Sequence, residues 1–401
     1  MRSEDSILVL YPWPGLPATD RGSALRLVPL LRLLASEGYR VTVLSPGDRN
    51  GSVCEKGIHY VRWSPSRWER VAGGFLWRIY DGLTYHATKR STSPRQRRQW
   101  WHYIDAGLKP SLRRKISELA KNSRVILLEY AFWSELPPKD RPPVLLTLHD
   151  VLSDMLPEGF LRRRVWSREI SAGRSADATF CVSRDDQAAL RRGGIDAVFV
   201  PHAFESSRDM PSSYLVTPAL KKIRKHRAAG GKMGFFVGSS LQPNVDAIAV
   251  LRRIAQRTQD SWLLVAAGSC GGAEPTADGF YSLGRVSQAE LQSLYKECDA
   301  FISPVESGTG VSTKILEAMS HGKPLVATTY AVRGYDLQAG RDYLQCASDD
   351  DFATALRRVA DNPAMASALA EAGRDFAANF APEKAYAPYL ALVRQLMAKK
   401  R

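Results

Sequence analysis

Two series of short apolar runs alternate with helical segments, and this alternation constrains the fold more than any other feature. The first series opens with Ile7–Leu10, continues through a helical period from Ser23 to about Glu37, and reaches a second apolar run at Tyr39–Leu44. A strand, a helix and a strand within about 40 residues form a βαβ unit. Because its strands are short and wholly apolar, we expect a parallel sheet buried on both faces.

Further apolar runs extend the first series, and a second series begins at Met233. In the first series we expect strands at Val125–Leu128, Val144–Leu148, Ala178–Val182 and Ala197–Val200. In the second we expect strands at Gly234–Val237, Leu263–Ala267, Ala300–Ser303 and Leu325–Ala327, with helices at Val245–Arg257, Gln288–Cys298, Val311–Ser320 and Asp349–Ala360. The pattern predicts an α/β protein with domains at 1–205 and 232–380, a linker at 206–231 and a terminal helix at 381–401. Ligands of such domains lie beyond the carboxyl ends of the strands, so a central cleft is the expected site.

The composition is that of a soluble globular protein, with 44% hydrophobic and 24% charged residues. No apolar run reaches the roughly 18 residues of a membrane span, and no secretory signal is recognisable at the N-terminus. The five cysteines are widely spaced and form no C-x-x-C pair, which disfavours a disulfide framework or a structural zinc site. We therefore expect a cytoplasmic protein.

One segment carries the chemistry: SGTGVSTKILEAM at Ser307–Met319, between an expected strand and an expected helix. Its small residues would present free backbone N–H groups at a helix N-terminus, where an anion is stabilised. Lys314 would add a cation, and Glu317, one turn further on, could accept hydrogen bonds from two neighbouring sugar hydroxyls. The segment suits a nucleoside diphosphate, although a purely structural turn would look the same in isolation.

Four other segments occur in an order that resembles the family-4 retaining glycosyltransferases of the GT-B fold. FFVGSSLQPNVDAI at Phe235–Ile248 and LGRVSQAELQSLYKECDAFISP at Leu283–Pro304 resemble that family's donor domain. TLHDVLSD at Thr147–Asp154 and FCVSRDDQAAL at Phe180–Leu190 resemble its acceptor domain. The resemblance implies the GT-B fold, in which two Rossmann-like domains face a central cleft and the C-terminal helix returns to the first domain.

The resemblance also implies roles for individual residues. Gly238 and Ser239 would lie near the phosphates, Arg285 and Val286 would flank the base, and Glu317 would hold the ribose. Backbone amides for the diphosphate would come from Gly310, Val311 and Ser312, next to Thr309. On the acceptor and phosphate side the implied residues are His149, which would face the donor sugar, with Asp150, Gly22 and Arg26.

Two departures from the family pattern affect these roles. The family often has a glutamate eight positions before the equivalent of Glu317, and Thr309 stands there in this chain. The usual contact of that glutamate with the donor sugar is therefore in doubt. Ser239–Val245 also lacks the basic residue that many members have in this loop, and Lys314 could supply the charge for the diphosphate instead.

The reaction implied is transfer of a sugar from a nucleoside-diphosphate sugar to an acceptor hydroxyl with retained configuration, in the synthesis of cell-surface polysaccharide, lipopolysaccharide or other glycoconjugates. The nucleotide sugar is a substrate, and neither a cofactor nor a metal is expected. Two alternatives remain open: a GT-B-like sugar-nucleotide epimerase or hydrolase, and a basic binding protein without turnover.

His149 and Asp150 follow an expected strand and could form a general acid/base pair, or simply a hydrogen-bonded loop. The run Asp349–Asp351 could be mistaken for a metal site. Its place before a helical segment indicates a helix cap and an acidic first turn instead.

Much of the net charge of +15 comes from one aromatic segment, Arg62–Lys115, with 13 Lys/Arg, three acids and five of the nine tryptophans. It could be a solvated face whose tryptophans enter the core. It could also bind an anionic membrane on the cytoplasmic side, which suits a lipid-linked rather than a free glycan acceptor. Nucleic-acid binding is disfavoured because no recognised nucleic-acid module is present.

Overall fold

The computed structural model shows two sheets, each at the centre of its own unit. It describes residues 5–17, 22–87, 101, 109–156, 158–203, 218–277, 279–308 and 311–398. Unit 1 consists of Met1–Ala203 with Pro382–Arg401, and unit 2 of Phe204–Ala381. Because each sheet is mainly parallel and carries helices between its strands, the prediction of two Rossmann-like units is confirmed.

Unit 1 contains an eight-stranded sheet in the order β3-β4-β2-β1-β5-β6-β7-β8. All neighbouring strands are parallel except β3 and β4. The strands are β1 (Ser6–Leu10), β2 (Arg40–Pro46), β3 (Gly51–Glu55), β4 (Ile58–Trp63), β5 (Val125–Glu129), β6 (Val144–Leu148), β7 (Ala178–Cys181) and β8 (Val198–Phe199). The helices before the second unit are α1 (Gly22–Ser36), α2 (Arg67–Ala87), α3 (Pro110–Ala120), α4 (Phe160–Ser175) and α5 (Arg184–Arg192).

The central strands of unit 1 are buried along their length, as expected for a parallel sheet covered on both faces. Ile7–Leu10 of β1 is fully buried, and every residue of β5 and β6 is buried. Leu27, Leu31 and Leu34 of α1 join the same core. Because both faces of the sheet are buried, polar and apolar residues do not alternate along these strands. Their apolar runs therefore predicted them.

The C-terminal segment belongs to unit 1, as predicted. It forms α12 (Pro382–Ala385) and α13 (Ala387–Ala398). The ring of Tyr389 lies 4.3 Å from that of Phe180 on β7, centre to centre. The hydroxyl of Tyr386 donates to the carbonyl of Arg26 over 2.6 Å. The segment is thus fixed to α1 and to the sheet of unit 1.

Unit 2 contains a seven-stranded sheet in the order β11-β12-β10-β9-β13-β14-β15. The strands are β9 (Lys232–Val237), β10 (Trp262–Ala267), β11 (Ala273–Ala277), β12 (Phe280–Leu283), β13 (Ala300–Ser303), β14 (Leu325–Ala327) and β15 (Leu344–Gln345). The helices are α6 (Pro218–Ala228), α7 (Gln242–Thr258), α8 (Gln288–Glu297), α9 (Thr313–Ser320), α10 (Asp349–Asp361) and α11 (Pro363–Ala378). Only β11 pairs antiparallel among these strands.

Several elements were not predicted from the sequence. The β3–β4 hairpin is exposed along β3, so its residues show no apolar run. Helix α2 falls in the basic aromatic segment, for which no helix was predicted, and its large apolar side chains are exposed instead of entering the core. In that segment Trp63 and Trp101 are buried while Trp68 is exposed, and residues 88–100 and 102–108 lie outside the described part.

The expected linker contains a helix that packs in unit 2. Ile223 of α6 is fully buried in the core of that unit. Arg224 pairs with Glu297, and Arg227 with Asp299. The helix therefore joins unit 2, while residues 204–217 lie outside the described part.

Truncating a buried leucine of α13 tests how much the packing of this helix stabilises unit 1. Leu390 is buried in the unit 1 core, whereas Gln395 on the same helix is exposed. Leu390→Ala should lower the free energy of unfolding of unit 1 by about 2–5 kcal/mol, because it leaves a cavity. Gln395→Ala should change it by less than about 0.5 kcal/mol. Urea unfolding followed by circular dichroism measures both, and equal effects would show that the helix is not packed.

Candidate functional site

The loops that follow β9 and β13 lie side by side at one edge of the unit 2 sheet. These two strands are parallel neighbours, and the strand order changes direction between them, with β10 on one side and β14 on the other. Their carboxyl ends therefore bring Gly238 and Ser239 close to the loop that leads into α9. Such a switch point is the usual ligand site of an open parallel sheet.

Lys314 reaches from α9 to the first turn of α7, which follows the loop after β9. Its Nζ donates to Oδ1 of Asn244 over 2.5 Å and lies 4.6 Å from the centre of the Phe236 ring. Nδ2 of Asn244 in turn donates to the hydroxyl of Ser239 over 3.1 Å. Burial lowers the pKa of Lys314 to about 8, so the side chain remains mainly charged at neutral pH. A partly desolvated cation is therefore held beside Ser239.

Glycine is required at one position in the loop after β9 and at one position in the loop after β10. A Cβ on Gly238 would lie 2.8 Å from Cβ of Asn244 and 3.1 Å from Sγ of Cys270. Gly268 has a φ of +99°, and its Cβ would lie 2.1 Å from the carbonyl oxygen of Gly238. Larger residues would displace this backbone. The glycine of the sequence VGS is therefore required by packing, in addition to being part of the family motif.

The turn before α9 holds a buried hydroxyl without a partner. Ser312 is the N-cap of α9 but makes no side-chain capping bond, and its Oγ has no hydrogen-bond partner among the described residues. An unpaired buried hydroxyl costs about 1–3 kcal/mol. A ligand oxygen at this helix N-terminus would offset that cost, and the first N–H groups of the helix are also available to it.

The same turn is supported from behind. The hydroxyl of Tyr335 donates to the carbonyl of Ser312 over 3.0 Å, and that of Tyr330 donates to the carbonyl of Gly308. Val311 packs so closely against Gly334 that a Cβ there would lie 2.6 Å from Cγ2 of Val311. Helix α9 begins two residues later than predicted from the sequence. Thr309 and Gly310, the two positions at the centre of the predicted turn, lie outside the described residues.

Glu317 is half-buried, and its carboxylate is held by helix α8. Its Oε2 accepts from the hydroxyl of Tyr295 over 3.1 Å, and its Oε1 accepts from Nε2 of Gln292 over 3.4 Å. Burial raises the pKa of Glu317 to about 7, although both hydrogen bonds oppose the rise. The carboxylate is thus fixed in place and close to the midpoint of its titration at neutral pH.

Sequence reasoning missed Gln292 and Tyr295, although a local signal fixes their helix. Ser287 and Glu290 form a capping box at the start of α8. Residues three positions apart on one helix face lie together, so Gln292 and Tyr295 share the buried face. Just before this helix, Arg285 is exposed and Val286 packs partly on the unit 2 core.

In unit 1, His149 follows β6 and is paired with a buried glutamate at the end of β5. Nε2 of His149 contacts Oε2 of Glu129, and both side chains are almost fully buried. When Nε2 carries the hydrogen of this contact, Nδ1 is left as the acceptor. The ring of Tyr130 lies 4.6 Å away and that of His202 6.2 Å away, centre to centre. Glu129 and His202 were not singled out from the sequence, because a glutamate at the end of an apolar strand resembles a loop residue.

A cavity of about 20 Å³ in unit 1 adjoins this pair. The buried atoms around it that lack a hydrogen-bond partner in the part of the chain that is described include Nε of Arg26, Oε1 of Glu129, Nδ1 of His149 and Nε2 of His202. Burial, the charge of Arg26 and the nearby His149 together hold the pKa of His202 well below its usual range. Burial raises the pKa of Asp150, while Arg26 and His149 oppose the rise. The predicted residues Arg26, His149 and Asp150 are therefore brought together, and Gly22 begins the helix that carries Arg26.

The triple aspartate has a structural role in this fold. Ser348 caps α10 by accepting from the backbone N–H of Asp351, and Asp349–Asp351 form the first turn. Asp349 pairs with Arg253 and Asp350 with Arg257. Across the described residues, no three His, Cys, Asp or Glu side chains are grouped as a metal site would require.

Two family models match the chain. Residues 231–362 match the model for glycosyl transferases group 1, and residues 21–208 match that for glycosyltransferase family 4. No curated protein sequence matches the chain.

Solved structures share the fold over nearly the whole length. Sucrose-phosphate synthase from Thermosynechococcus elongatus is 17% identical with a TM-score of 0.69, covering 98% of this chain and 99% of its own. An E. coli trehalose-6-phosphate structure bound with UDP-2-fluoro glucose is 12% identical with a TM-score of 0.70, covering 97% and 99%. Anabaena Alr3699/HepE in complex with UDP and glucose is 15% identical with a TM-score of 0.66, covering 97% and 99%. These similarities confirm the predicted GT-B fold.

The shifted pKa of Glu317 predicts how its replacement changes stability. In the unfolded chain this group ionises near its ordinary value of 4.5, but in the folded protein only near 7. Its contribution to stability is therefore full below about pH 4.5 and is lost as the pH rises through about 7. Because glutamine stays neutral, Glu317→Gln should become more stable than the unaltered protein as the pH rises from about 5 to 8, by at most ~3 kcal/mol.

Thermal unfolding at several pH values measures this difference. Glu371→Gln, at an exposed position of the same unit, is the matched control and should show no such trend. A stability difference that does not depend on pH would contradict the burial of the Glu317 carboxylate.

Proposed function

We propose, for a chain that belongs to the group 1 glycosyltransferases, that it transfers a sugar from a nucleoside-diphosphate sugar to an acceptor hydroxyl with retention of configuration. Unit 2 would bind the donor nucleotide at the edge of its sheet. Unit 1 would bind the acceptor through the polar residues around His149.

The observation that carries this proposal is the cluster of Ser312, Lys314 and Glu317 around one helix N-terminus. The unpaired hydroxyl of Ser312 and the free amides of the first turn suit phosphate oxygens. Lys314, held over Phe236 beside Ser239, supplies the opposite charge. Glu317 lies about one turn along the helix and can accept hydrogen bonds from the two ribose hydroxyls. In a nucleoside diphosphate the phosphates and the ribose hydroxyls follow one another in the same order as these protein groups.

Uracil is the base that we propose, with Arg285 and Val286 beside it. The support comes from two proteins of the same fold whose complexes contain UDP or a UDP-sugar.

In the proposed reaction, the bond from the anomeric carbon to the phosphate oxygen breaks, and a bond to the acceptor oxygen forms on the same face. The acceptor proton moves to the leaving phosphate oxygen. Negative charge develops on the diphosphate, where the amides before α9 and the Lys314 ammonium stabilise it more than in the ground state. No side-chain nucleophile and no metal are needed for this balance.

His149 would position a substrate hydroxyl, with Glu129 fixing the ring. A carboxylate on Nε2 determines which nitrogen faces the substrate, so Nδ1 is the atom available for a hydrogen bond. Arg26 and Asp150 lie beside it, and an arginine there would favour an acceptor that carries phosphate. A lipid-linked glycan intermediate of cell-surface polysaccharide or lipopolysaccharide synthesis, on the cytoplasmic side of a membrane, has this chemistry.

Calorimetric titration with UDP tests the donor site. Glu317→Ala should weaken UDP binding about 10–100-fold, because hydrogen bonds to a charged group are lost. Lys314→Met should weaken it about tenfold by removing the charge. The exposed residues Glu371 and Lys296 provide matched controls, and Glu371→Ala and Lys296→Met should leave affinity unchanged. Equal affinities for all four variants would refute the assignment.

The stereochemical course of the reaction can be measured without knowing the acceptor. Proton NMR of the sugar slowly released from UDP-glucose should show the α-anomer first, as retention requires. First appearance of the β-anomer would exclude retention, and an epimerised nucleotide sugar would favour the alternative enzyme class.

Glu129→Gln should reduce turnover roughly tenfold or more while UDP affinity stays the same, because Glu129 acts through His149.

A further inference from the structure

Helix α2 of unit 1 exposes a continuous row of large apolar side chains. Trp68 is 75% exposed, Phe75 66%, Val71 60%, Ile79 48% and Leu76 36%. Their spacing along the helix places all five on one face, which we call the outer face. Soluble proteins seldom expose a contiguous apolar surface of this kind unless it binds something.

The opposite face of the same helix is already packed. Trp77 and Tyr80 lie against Trp101, with ring centres 5.9 and 5.0 Å from it. Trp101 itself is buried. The packed side of α2 is therefore distinct from the outer face.

A buried carboxylate fixes the start of α2. Glu69 accepts hydrogen bonds from the backbone N–H of Ser66 and from both the N–H and the hydroxyl of Ser111. Burial opposes its ionisation, but these hydrogen bonds outweigh burial and lower its pKa to about 2. Because Glu69 caps α2 and also holds the start of α3, the helix presents its outer face from a fixed base.

Positive charge flanks the outer face. Arg67, Arg70 and Arg78 are exposed on α2, whereas of the two carboxylates on this helix Glu69 is buried and Asp81 is partly buried. The wider segment from Arg62 to Lys115 carries 13 basic and three acidic residues. Two copies of this face would bring the same charges together, so self-association through it is opposed by repulsion.

We propose that the outer face of α2 inserts into the headgroup region of an anionic lipid bilayer, with the helix lying in the plane of the surface. Tryptophan and phenylalanine enter the boundary between headgroups and acyl chains, while arginines pair with anionic headgroups. Within the described residues no helix is long and apolar enough to cross a bilayer. The proposed contact is confined to the surface of the bilayer. The inference does not depend on the transfer reaction, although it would place unit 1 where a lipid-linked acceptor is found.

Vesicle flotation tests this contact with the full chain. Vesicles of phosphatidylcholine alone and of phosphatidylcholine mixed equally with phosphatidylglycerol provide the two surfaces. The protein should float with the mixed vesicles and much less with the neutral ones, and added salt should reduce the difference. No flotation with the mixed vesicles, or equal flotation with both kinds, would overturn the proposal.

Matched variants locate the contact. Phe75→Ser should weaken binding to the mixed vesicles about tenfold, since burial of one such ring is lost. Phe160→Ser is the control, because Phe160 is also in unit 1 and is 64% exposed. Arg78→Glu should weaken binding by more than about fivefold, because a favourable charge is replaced by a repelled one.

Two further measurements distinguish membrane binding by the outer face from a role in nucleotide binding and from self-association. UDP affinity should be unchanged in Phe75→Ser, because the nucleotide is assigned to unit 2, and circular dichroism should show that the variant is folded. Equal vesicle binding by Phe75→Ser and the unaltered protein would refute the role of the outer face. Analytical ultracentrifugation showing a dimer that only Phe75→Ser dissociates would assign the face to a second copy instead.

Discussion

Strands β9 and β13 run side by side in the same direction, and the proposed donor site around Ser312 and Lys314 depends on that pairing. Gly234 is opposite Ala300 and Phe235 is opposite Phe301 in the register of the two strands. A parallel pair places both carboxyl ends at one edge of the sheet, so the loop at Gly238 and the turn before α9 meet there. The contact between Lys314 and Asn244 follows from this arrangement, although 70 residues separate the two in sequence.

The site keeps several groups in states that are unfavourable for the protein alone. Burial opposes the charges of both Lys314 and Glu317, and the hydroxyl of Ser312 has no partner in the described structure. Neighbouring side chains fix these groups in place: Tyr295 holds Glu317, and Tyr335 holds the turn at Ser312. A ligand with phosphates and vicinal hydroxyls would offset these costs, and a site prepared in this way needs little reorganisation when charge develops.

Much of the fold could be predicted from the sequence because its strands are buried on both faces. Runs such as Val144–Leu148 and Ala300–Ser303 carry no polar alternation, and the structure has strands with the same bounds. The prediction failed where side chains do not follow that rule. Strand β3 is exposed along its length and so has no apolar run, and α2 exposes its large apolar side chains instead of burying them in a core.

The sequence by itself determined the buried strands, the helices that alternate with them and the segment Ser307–Met319, because local pattern and glycine placement are encoded within a few neighbouring residues. Only the tertiary structure decided which distant side chains act together. It paired His149 with Glu129, set Gln292 and Tyr295 around Glu317, and left Trp68 and Phe75 on an open face. Such contacts arise from strand order and helix packing, and burial then sets the pKa of each group. Neither these contacts nor these pKa values can be inferred from the neighbouring residues in the sequence.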